Sequence, residues 1–381
     1  MAGFCFIANF ALLNSKRHMA TFHKLQVNKV NKETHDTVSI SFSVPSNLTD
    51  NFKFIQGQYL TLRLNVNGES LNRSYSLCSS PYNGEDLTVA VKRVDGGRAS
   101  NYLNDQVQAG SEIEVMEPMG NFYTQLDSSN SKHYYLFGGG SGITPMLSII
   151  KSVISQEPNS KMTLFYGNRD EKSIIFRQVL DKLASEHQDR LKIVHIIAEA
   201  GSDWNGYTGM MTQDVVMRLI RENTSLSFGN AEMFICGPSP MMAEVKHALE
   251  TMSVPKEKVH IEYFTAKDPS DDVESASVGT STGDAEPLTG NTSVKIIYDG
   301  KEREFEMGPD DTVLEAALDA GFDPPYACMV AACCTCRAKL LSGQVEMDDR
   351  ESLTDDEIEE GYVLTCQAHP KSHGVVLNFD E

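Results

Sequence analysis

"CMVAACCTC", residues 328–336, holds four cysteines in nine positions of a chain that has eight in all. Thiols this dense serve as metal ligands in a reducing compartment and as disulfides in an oxidising one. The N-terminal stretch "MAGFCFIANFALLNSKRHMA" decides between the two. Its basic residues follow the apolar run instead of preceding it, and no small-residue cleavage site closes it, so it does not read as a secretory signal. A cytoplasmic location is therefore expected, and the cysteines read as metal ligands. Structural zinc is one candidate, but zinc usually takes two C-x2-C-like pairs. Only Cys333 and Cys336 form such a pair here.

The surrounding composition is uneven. Net charge is -20 over 381 residues, which argues against a nucleic-acid partner. Residues 291–381 hold 20 acidic against 7 basic side chains, and residues 266–290 hold 6 against 1. Nearly all the excess charge thus lies in the last third. Either it serves solubility alone or it meets a basic partner surface. No stretch is long enough to insert in a membrane.

The length implies two or three domains. Met19 opens the first strand-like alternation, so residues 1–18 read as an N-terminal extension. Residues 19–126 alternate apolar and polar side chains in short runs such as "QYLTLRLNV" and "DLTVAVKRV", the pattern of a small antiparallel β-barrel. Residues 127–265 switch to strands alternating with helices, among them a helix over 173–187, which predicts a parallel α/β sheet. Residues 266–290 are rich in Ser, Gly and Asp and poor in large apolar groups, so they read as a flexible linker. Residues 291–381 form a third unit of α+β type: a hairpin turning at Asp299-Gly300, the helix "TVLEAALDAG", then the cysteine loop.

Cys328, Cys333 and Cys336 give C-x4-C-x2-C, and Cys366 follows after 29 residues. This spacing is similar to that of plant-type ferredoxins, whose four thiolates hold a [2Fe-2S] cluster in a β-grasp fold. The flanks "PPYAC" and "LTCQAHP" strengthen the likeness. Such ferredoxins usually carry glycine where this chain has Ala331 and Cys334, so Cys334 is expected to point away from the cluster.

The first 265 residues resemble the ferredoxin–NADP reductase family. "RSYSLCSSP" (73–81) matches its R-x-Y-S stretch. The resemblance implies that Arg73 pairs with a flavin phosphate, Tyr75 packs on the isoalloxazine and Ser76 bonds near N5. Read alone, the stretch is only a barrel strand. "VKRVDGGRASNYLND" (91–105) supplies Val91, Lys92, Gly97 and Ser100, a second phosphate seat that favours FAD over FMN. "LFGGGSGITPM" (136–146) offers Gly140, Gly142 and Thr144 to a pyrophosphate. "FICGPSPMM" (234–242) matches the family's Cys-Gly-Pro, and the resemblance implies that Cys236, Gly237 and Pro238 lie against the nicotinamide, although Cys236 reads equally as a core thiol. Glu262, with Tyr263 and Phe264, matches the family's closing strand, which the resemblance puts near the flavin. Arg169 and Arg177 follow the second strand of the nucleotide unit, where guanidinium groups favour the 2′-phosphate of NADPH over NADH.

The module order, with "CCTCRAKLLSGQVEM", resembles reductases of the phenylacetyl-CoA epoxidase type. That likeness implies an NAD(P)H-dependent reductase passing electrons through FAD and a [2Fe-2S] cluster to a di-iron oxygenase component. Reductases of hybrid-cluster proteins, desaturases and aromatic oxygenases share the order. A non-enzymatic redox carrier or sensor is the alternative of another class; it would not need the pyridine-nucleotide site found here.

Overall fold

The computed structural model describes residues 22–224, 228–262, 277–279, 290–298, 300–309, 311–322, 324–326, 331, 334–350, 353 and 355–381. The extension at 1–18 and most of the linker at 266–290 lie outside them.

Six strands form the first unit: β1 (Phe22–Thr34), β2 (Thr37–Ser43), β3 (Tyr59–Val66), β4 (Glu69–Ser76), β5 (Leu87–Lys92) and β6 (Glu112–Met116), with α1 (Arg98–Asp105) before the last. All pairings are antiparallel, in the order β4-β3-β6-β1-β2-β5. A bridge between Leu77 and Val89 joins the two ends of that order and closes the barrel. Leu25, Ile40, Leu60, Leu62, Val89 and Val115 fill its interior, as alternation predicts.

The second unit runs β7 (His133–Gly139), α2 (Ile143–Gln156), β8 (Lys161–Asn168), α3 (Arg177–Glu186), β9 (Leu191–Ile197), β10 (Tyr207–Thr208), α4 (Gln213–Asn223), β11 (Ala231–Cys236), α5 (Ser239–Thr251) and β12 (Val259–Glu262). Its sheet is wholly parallel, in the order β10-β9-β8-β7-β11-β12. The chain winds outward from β7 through β8 and β9, then crosses back to β11. The switch point therefore falls between β7 and β11, where Gly138 pairs with Cys236.

Helix α3 starts four residues later than periodicity suggests. Asp170 accepts a bond from the Ser173 N–H at 2.9 Å and caps a short 3₁₀ turn, and Phe176 then takes a left-handed φ of 59°. The helix begins only after that reversal.

Two buried carboxylates tie this unit together. Glu157 is fully buried and accepts bonds from Tyr134 Oη (2.8 Å), Ser160 Oγ (2.7 Å) and Asn130 Nδ2 (2.6 Å). Glu232 meets Lys132 Nζ and His260 Nε2, each at 3.0 Å. Burial raises its pKa, but hydrogen bonds from His260 and Lys132 and the charges of Lys132 and Lys258 outweigh burial and bring it down to about 2.

The third unit has a five-stranded mixed sheet, β15-β14-β20-β16-β18, from β14 (Thr292–Tyr298), β15 (Lys301–Met307), β16 (Arg337–Ser342), β18 (Tyr362–Leu364) and β20 (Val375–Asn378). Helix α6 (Val313–Asp319) packs against it and opens on a capping box, Thr312 with Glu315. Helix α7 (Asp355–Glu359) precedes β18. A second small sheet holds β13 (Ser277–Gly279), β17 (Gln344–Met347) and β19 (Ala368–Pro370). Three residues within the linker stretch thus pair antiparallel with Gln344–Glu346. Among the described residues, no helix is long and apolar enough to cross a membrane.

Candidate functional site

The carboxyl ends of β7, β11 and β12 meet the end of β4. In register, Cys236 stands between Gly138 on one side and Glu262 on the other. Ser76, the last residue of β4 and 2% exposed, donates its hydroxyl to Glu262 Oε2 at 3.0 Å. Three residues from distant parts of the sequence, Ser76, Cys236 and Glu262, therefore share one corner between barrel and sheet. The Cys236 thiol is fully buried; burial first, and the Glu262 charge second, push its pKa well up. It stays a neutral S–H, suited to packing and not to nucleophilic attack.

Two turns line the switch point. A Cβ on Gly142 would lie 2.1 Å from the Cys236 carbonyl oxygen, so only glycine lets the start of α2 approach β11 this closely. Gly140 has a φ of 53°, and a Cβ there would meet only Lys92 Nζ, at 3.8 Å. The turn is thus open on the side where the nearest group is a cation, as a pyrophosphate requires. Lys92 ends β5 and also lies 3.8 Å from Asp36. The Thr144 hydroxyl bonds back to Ser141 O at 3.0 Å, and Tyr166 Oη donates to Gly140 O at 2.9 Å, which stiffens the turn. Gly237 and Pro238 precede α5 and face the same turn: a Cβ on Gly237 would come 2.9 Å from Gly139 N.

Along the barrel, Arg73 and Tyr75 precede Ser76 on β4, opposite Leu62 and Leu60 of β3. Both are partly exposed, and Tyr75 packs on the barrel core. Val91 differs: its side chain lies wholly in that core, so any cofactor contact it makes is through the backbone. Gly97 caps α1, and Ser100 Oγ accepts from Val94 N at 3.1 Å to fix the loop between them. Arg98 pairs with Glu69, which brings the start of α1 alongside β4.

Arg169 and Arg177 both sit beyond β8 and lie near carboxylates. Arg169 Nε is 3.3 Å from Asp170, and Arg177 is 3.5 Å from Glu171 and 3.9 Å from Asp181. Asp170 is already engaged by the Ser173 hydroxyl (2.8 Å) and N–H, which help hold it below the usual carboxylate range.

In the third unit, Cys336 and Cys366 are buried and adjacent in the backbone, because Thr365 donates both N–H (3.1 Å) and hydroxyl (2.9 Å) to Cys336 O. The Gln367 amide lies 3.6 Å from Cys366 Sγ and can donate to it, a setting that suits a thiolate ligand. Cys328 and Cys333 lie outside the described residues. Cys334 is partly exposed and Ala331 fully buried. Ala331 takes a φ of 53°, a conformation glycine would adopt about 1 kcal/mol more cheaply. The backbone at Ala331 keeps the conformation a glycine would take.

Sequence reasoning missed Asp36, Gln367 and the serines facing each other across the two N-terminal units. Ser148 and Ser152, four apart among the buried residues of α2, were the available signal.

Comparisons with known proteins agree with this geometry. Family models described as an oxidoreductase FAD-binding domain, an oxidoreductase NAD-binding domain and a 2Fe-2S iron-sulfur cluster binding domain match residues 24–123, 136–247 and 296–371. The chain is 39% identical to one of the subunits of 1,2-phenylacetyl-CoA epoxidase of Escherichia coli (strain K12), over 95% of this chain and 99% of that protein. It is 36% identical to the ferredoxin reductase component of 3-ketosteroid-9-alpha-monooxygenase of Rhodococcus rhodochrous, over 93% of this chain and 96% of that one. Among solved structures, phthalate dioxygenase reductase aligns with a TM-score of 0.53 and 25% identity, covering 94% of this chain and 98% of that chain.

Proposed function

Because the chain belongs to the family of oxygenase-system reductases built from FAD-binding, NAD-binding and 2Fe-2S domains, we propose that it draws on NADPH and feeds the di-iron oxygenase component of a phenylacetyl-CoA epoxidase-type system. It is an NAD(P)H-dependent oxidoreductase. FAD, when bound, accepts a hydride's two electrons, and the [2Fe-2S] cluster carries them onward singly.

The Ser76–Glu262 bond beside Cys236 is the observation that carries the site reading. It joins the R-x-Y-S strand to the switch point, so flavin and nicotinamide have a common corner. Arg73 and the loop from Gly97 to Ser100 hold the flavin phosphates, and Tyr75 and Ser76 orient the ring. Gly140, Gly142 and Thr144 take the nucleotide pyrophosphate; Lys92, expected from the sequence at the flavin phosphates, is the cation nearest to Gly140 and is assigned to the pyrophosphate instead. Gly237 and Pro238 shape the nicotinamide slot against the neutral Cys236 thiol. Cys328, Cys333, Cys336 and Cys366 hold the cluster.

Engagement of Asp170 supports the NADPH preference. An acid free at the end of β8 would accept the ribose hydroxyls of NADH. Here one oxygen of that acid caps the turn and the other lies 3.3 Å from Arg169 Nε, while the guanidinium itself stays 59% exposed. NADPH is expected to give the higher kcat/KM, and Arg169→Ala to lose that advantage while NADH turnover changes less than about twofold. Equal kcat/KM for both nucleotides in the wild type refutes the preference.

Likeness to the epoxidase component, over nearly its full length, supports the acceptor. Mixing the reductase with the purified oxygenase component should give NADPH consumption that depends on phenylacetyl-CoA. Brisk dye reduction with no such consumption would remove this acceptor and leave the reductase activity standing.

A further inference from the structure

We propose that a buried serine contact between helix α2 and the turn after β4 is the positioning device that fixes the hydride donor against the flavin strand. The proposal rests on the site reading above, in which β4 orients the flavin and the start of α2 seats the pyrophosphate.

Ser148, Lys151 and Ser152 are three and four residues apart and so share one face of α2. Each meets the segment that follows β4. Ser148 Oγ donates to Ser79 O at 2.7 Å, the hydroxyls of Ser152 and Ser80 are 3.0 Å apart, and Lys151 Nζ donates to Glu85 Oε2 at 2.7 Å. Ser148 and Ser152 are 0% exposed, Ser79 and Ser80 1%. The turn is itself pinned, since Ser79 Oγ accepts from Thr88 N at 3.1 Å and Ser80 N donates to Glu85 at 3.2 Å.

The placement of this contact matters more than its strength. Ser79 and Ser80 lie three and four residues beyond Ser76 on the same run of chain. Ser148 lies six residues beyond Gly142 on the helix that the phosphate turn opens. On each run of chain the reaction corner comes first, and the serine contact follows within about three helical turns or a few residues of it. Around it the interface is apolar: Cys78, Ala90 and Phe122 of the barrel side join Ile143, Leu147 and Ile150 of α2 in one core cluster. Apolar contacts hold two surfaces together but tolerate sliding. Directional hydrogen bonds between buried hydroxyls do not, because any slip leaves them unsatisfied. Hydride transfer is unusually sensitive to such a slip, since a displacement of about 1 Å can cost about 100-fold in rate.

A purely structural role predicts something different, and the Ser80–Ser152 pair separates the two. Ser80→Ala strands the Ser152 hydroxyl, and Ser152→Ala leaves Ser80 Oγ only the Tyr82 N–H, at 3.3 Å; each lowers the unfolding midpoint. Ser80→Ala with Ser152→Ala removes both hydroxyls, leaves the Tyr82 N–H of an exposed residue to solvent, and restores part of that loss. We expect the double variant to keep its flavin and to bind NADPH within about twofold of the wild type. The amides in the first turn of α2 should exchange faster with solvent deuterium in the cofactor-free protein. Stopped-flow reduction of the flavin should slow by about tenfold or more. Lys151→Gln, at the rim of the same contact and outside the core, should slow the step by about twofold. Wild-type transfer rates and exchange in both variants, folded and flavin-loaded, would reduce the contact to packing and overturn the proposal. Failure of the underlying site reading shows up elsewhere: a folded Gly142→Ala protein with undiminished NADPH affinity would mean that the nucleotide does not sit at the α2 turn.

Discussion

The two joints of this molecule are built in opposite ways. Between barrel and parallel sheet there is one shared core, crossed by Phe122 and Phe234 at 5.2 Å and by the buried Ser79 and Ser80 contacts. The third unit has a core of its own, drawn among the described residues from Val294 onward. In sequence, the acidic, serine-rich stretch 266–290 lies between it and the rest. The difference matches what each joint must transmit. A hydride needs its donor and acceptor in contact and aligned. A single electron can be handed over from a range of placements, so the cluster-bearing unit tolerates a tether.

Breaking the cluster should separate the two halves most sharply. Cys336→Ser or Cys366→Ser is expected to abolish reduction of the oxygenase component, with loss of the visible absorption of the cluster. Reduction of a small dye at the flavin should stay within about twofold. Loss of both activities together would mean that the halves are not independent. Gly142→Ala attacks the rigid joint instead. Its Cβ would collide with the Cys236 carbonyl, so we expect destabilisation of about 1–3 kcal/mol and a matching fall in NADPH-driven dye reduction, with the cluster spectrum intact.

Acid should sharpen the contrast further. Burial holds His133 down at about 4, with the Lys161 charge adding to it. Between pH 6.5 and 4 the unfolded chain therefore takes up a proton that the folded chain does not, and the His133 contribution is full above 6.5 and gone by about 4. Glu232, held at about 2, contributes fully above its ordinary 4.5 and loses that contribution as the pH falls toward 2. Both groups lie in the nucleotide unit, as does the only tryptophan of the chain, Trp204. Denaturant midpoints followed by Trp204 fluorescence should fall steadily from pH 6.5 downward. A flat profile would show that neither group is linked to folding.

The smallest effect expected is that of salt. Glu359, the last residue of α7, and Glu360 after it are exposed, within the acidic third unit. Raising salt to shrink the screening length to about 10 Å should slow reduction of the oxygenase component by about two- to threefold and leave dye reduction unchanged. Glu359→Gln with Glu360→Gln should do the same at low salt. An acceptor rate flat in both tests makes the acidity a matter of solubility.

Much of this architecture was legible in advance because it follows from period and punctuation. Alternation gave the barrel, the strand–helix change gave the parallel sheet, and glycine-rich turns marked both sides of the switch point. The late start of α3 was hidden, because Asp170 and Phe176 act through a capped turn and a left-handed residue that apolar spacing does not register. The Glu232 and Glu157 networks were hidden too, since their donors come from segments far apart in the chain. Strand β13 had no signal at all: three residues in a stretch of linker composition gain their order from the edge of β17.

That strand changes where the third unit begins. A C-terminal fragment cut at residue 291 would satisfy every criterion of composition, yet it would leave behind Ser277–Gly279 and bare the β17 edge. An uncovered edge offers a row of unpaired amides and carbonyls to any strand that meets it, including the same edge of another copy. Excision ahead of residue 277 keeps the edge covered, so the natural seam of the molecule lies inside its linker and not at its end.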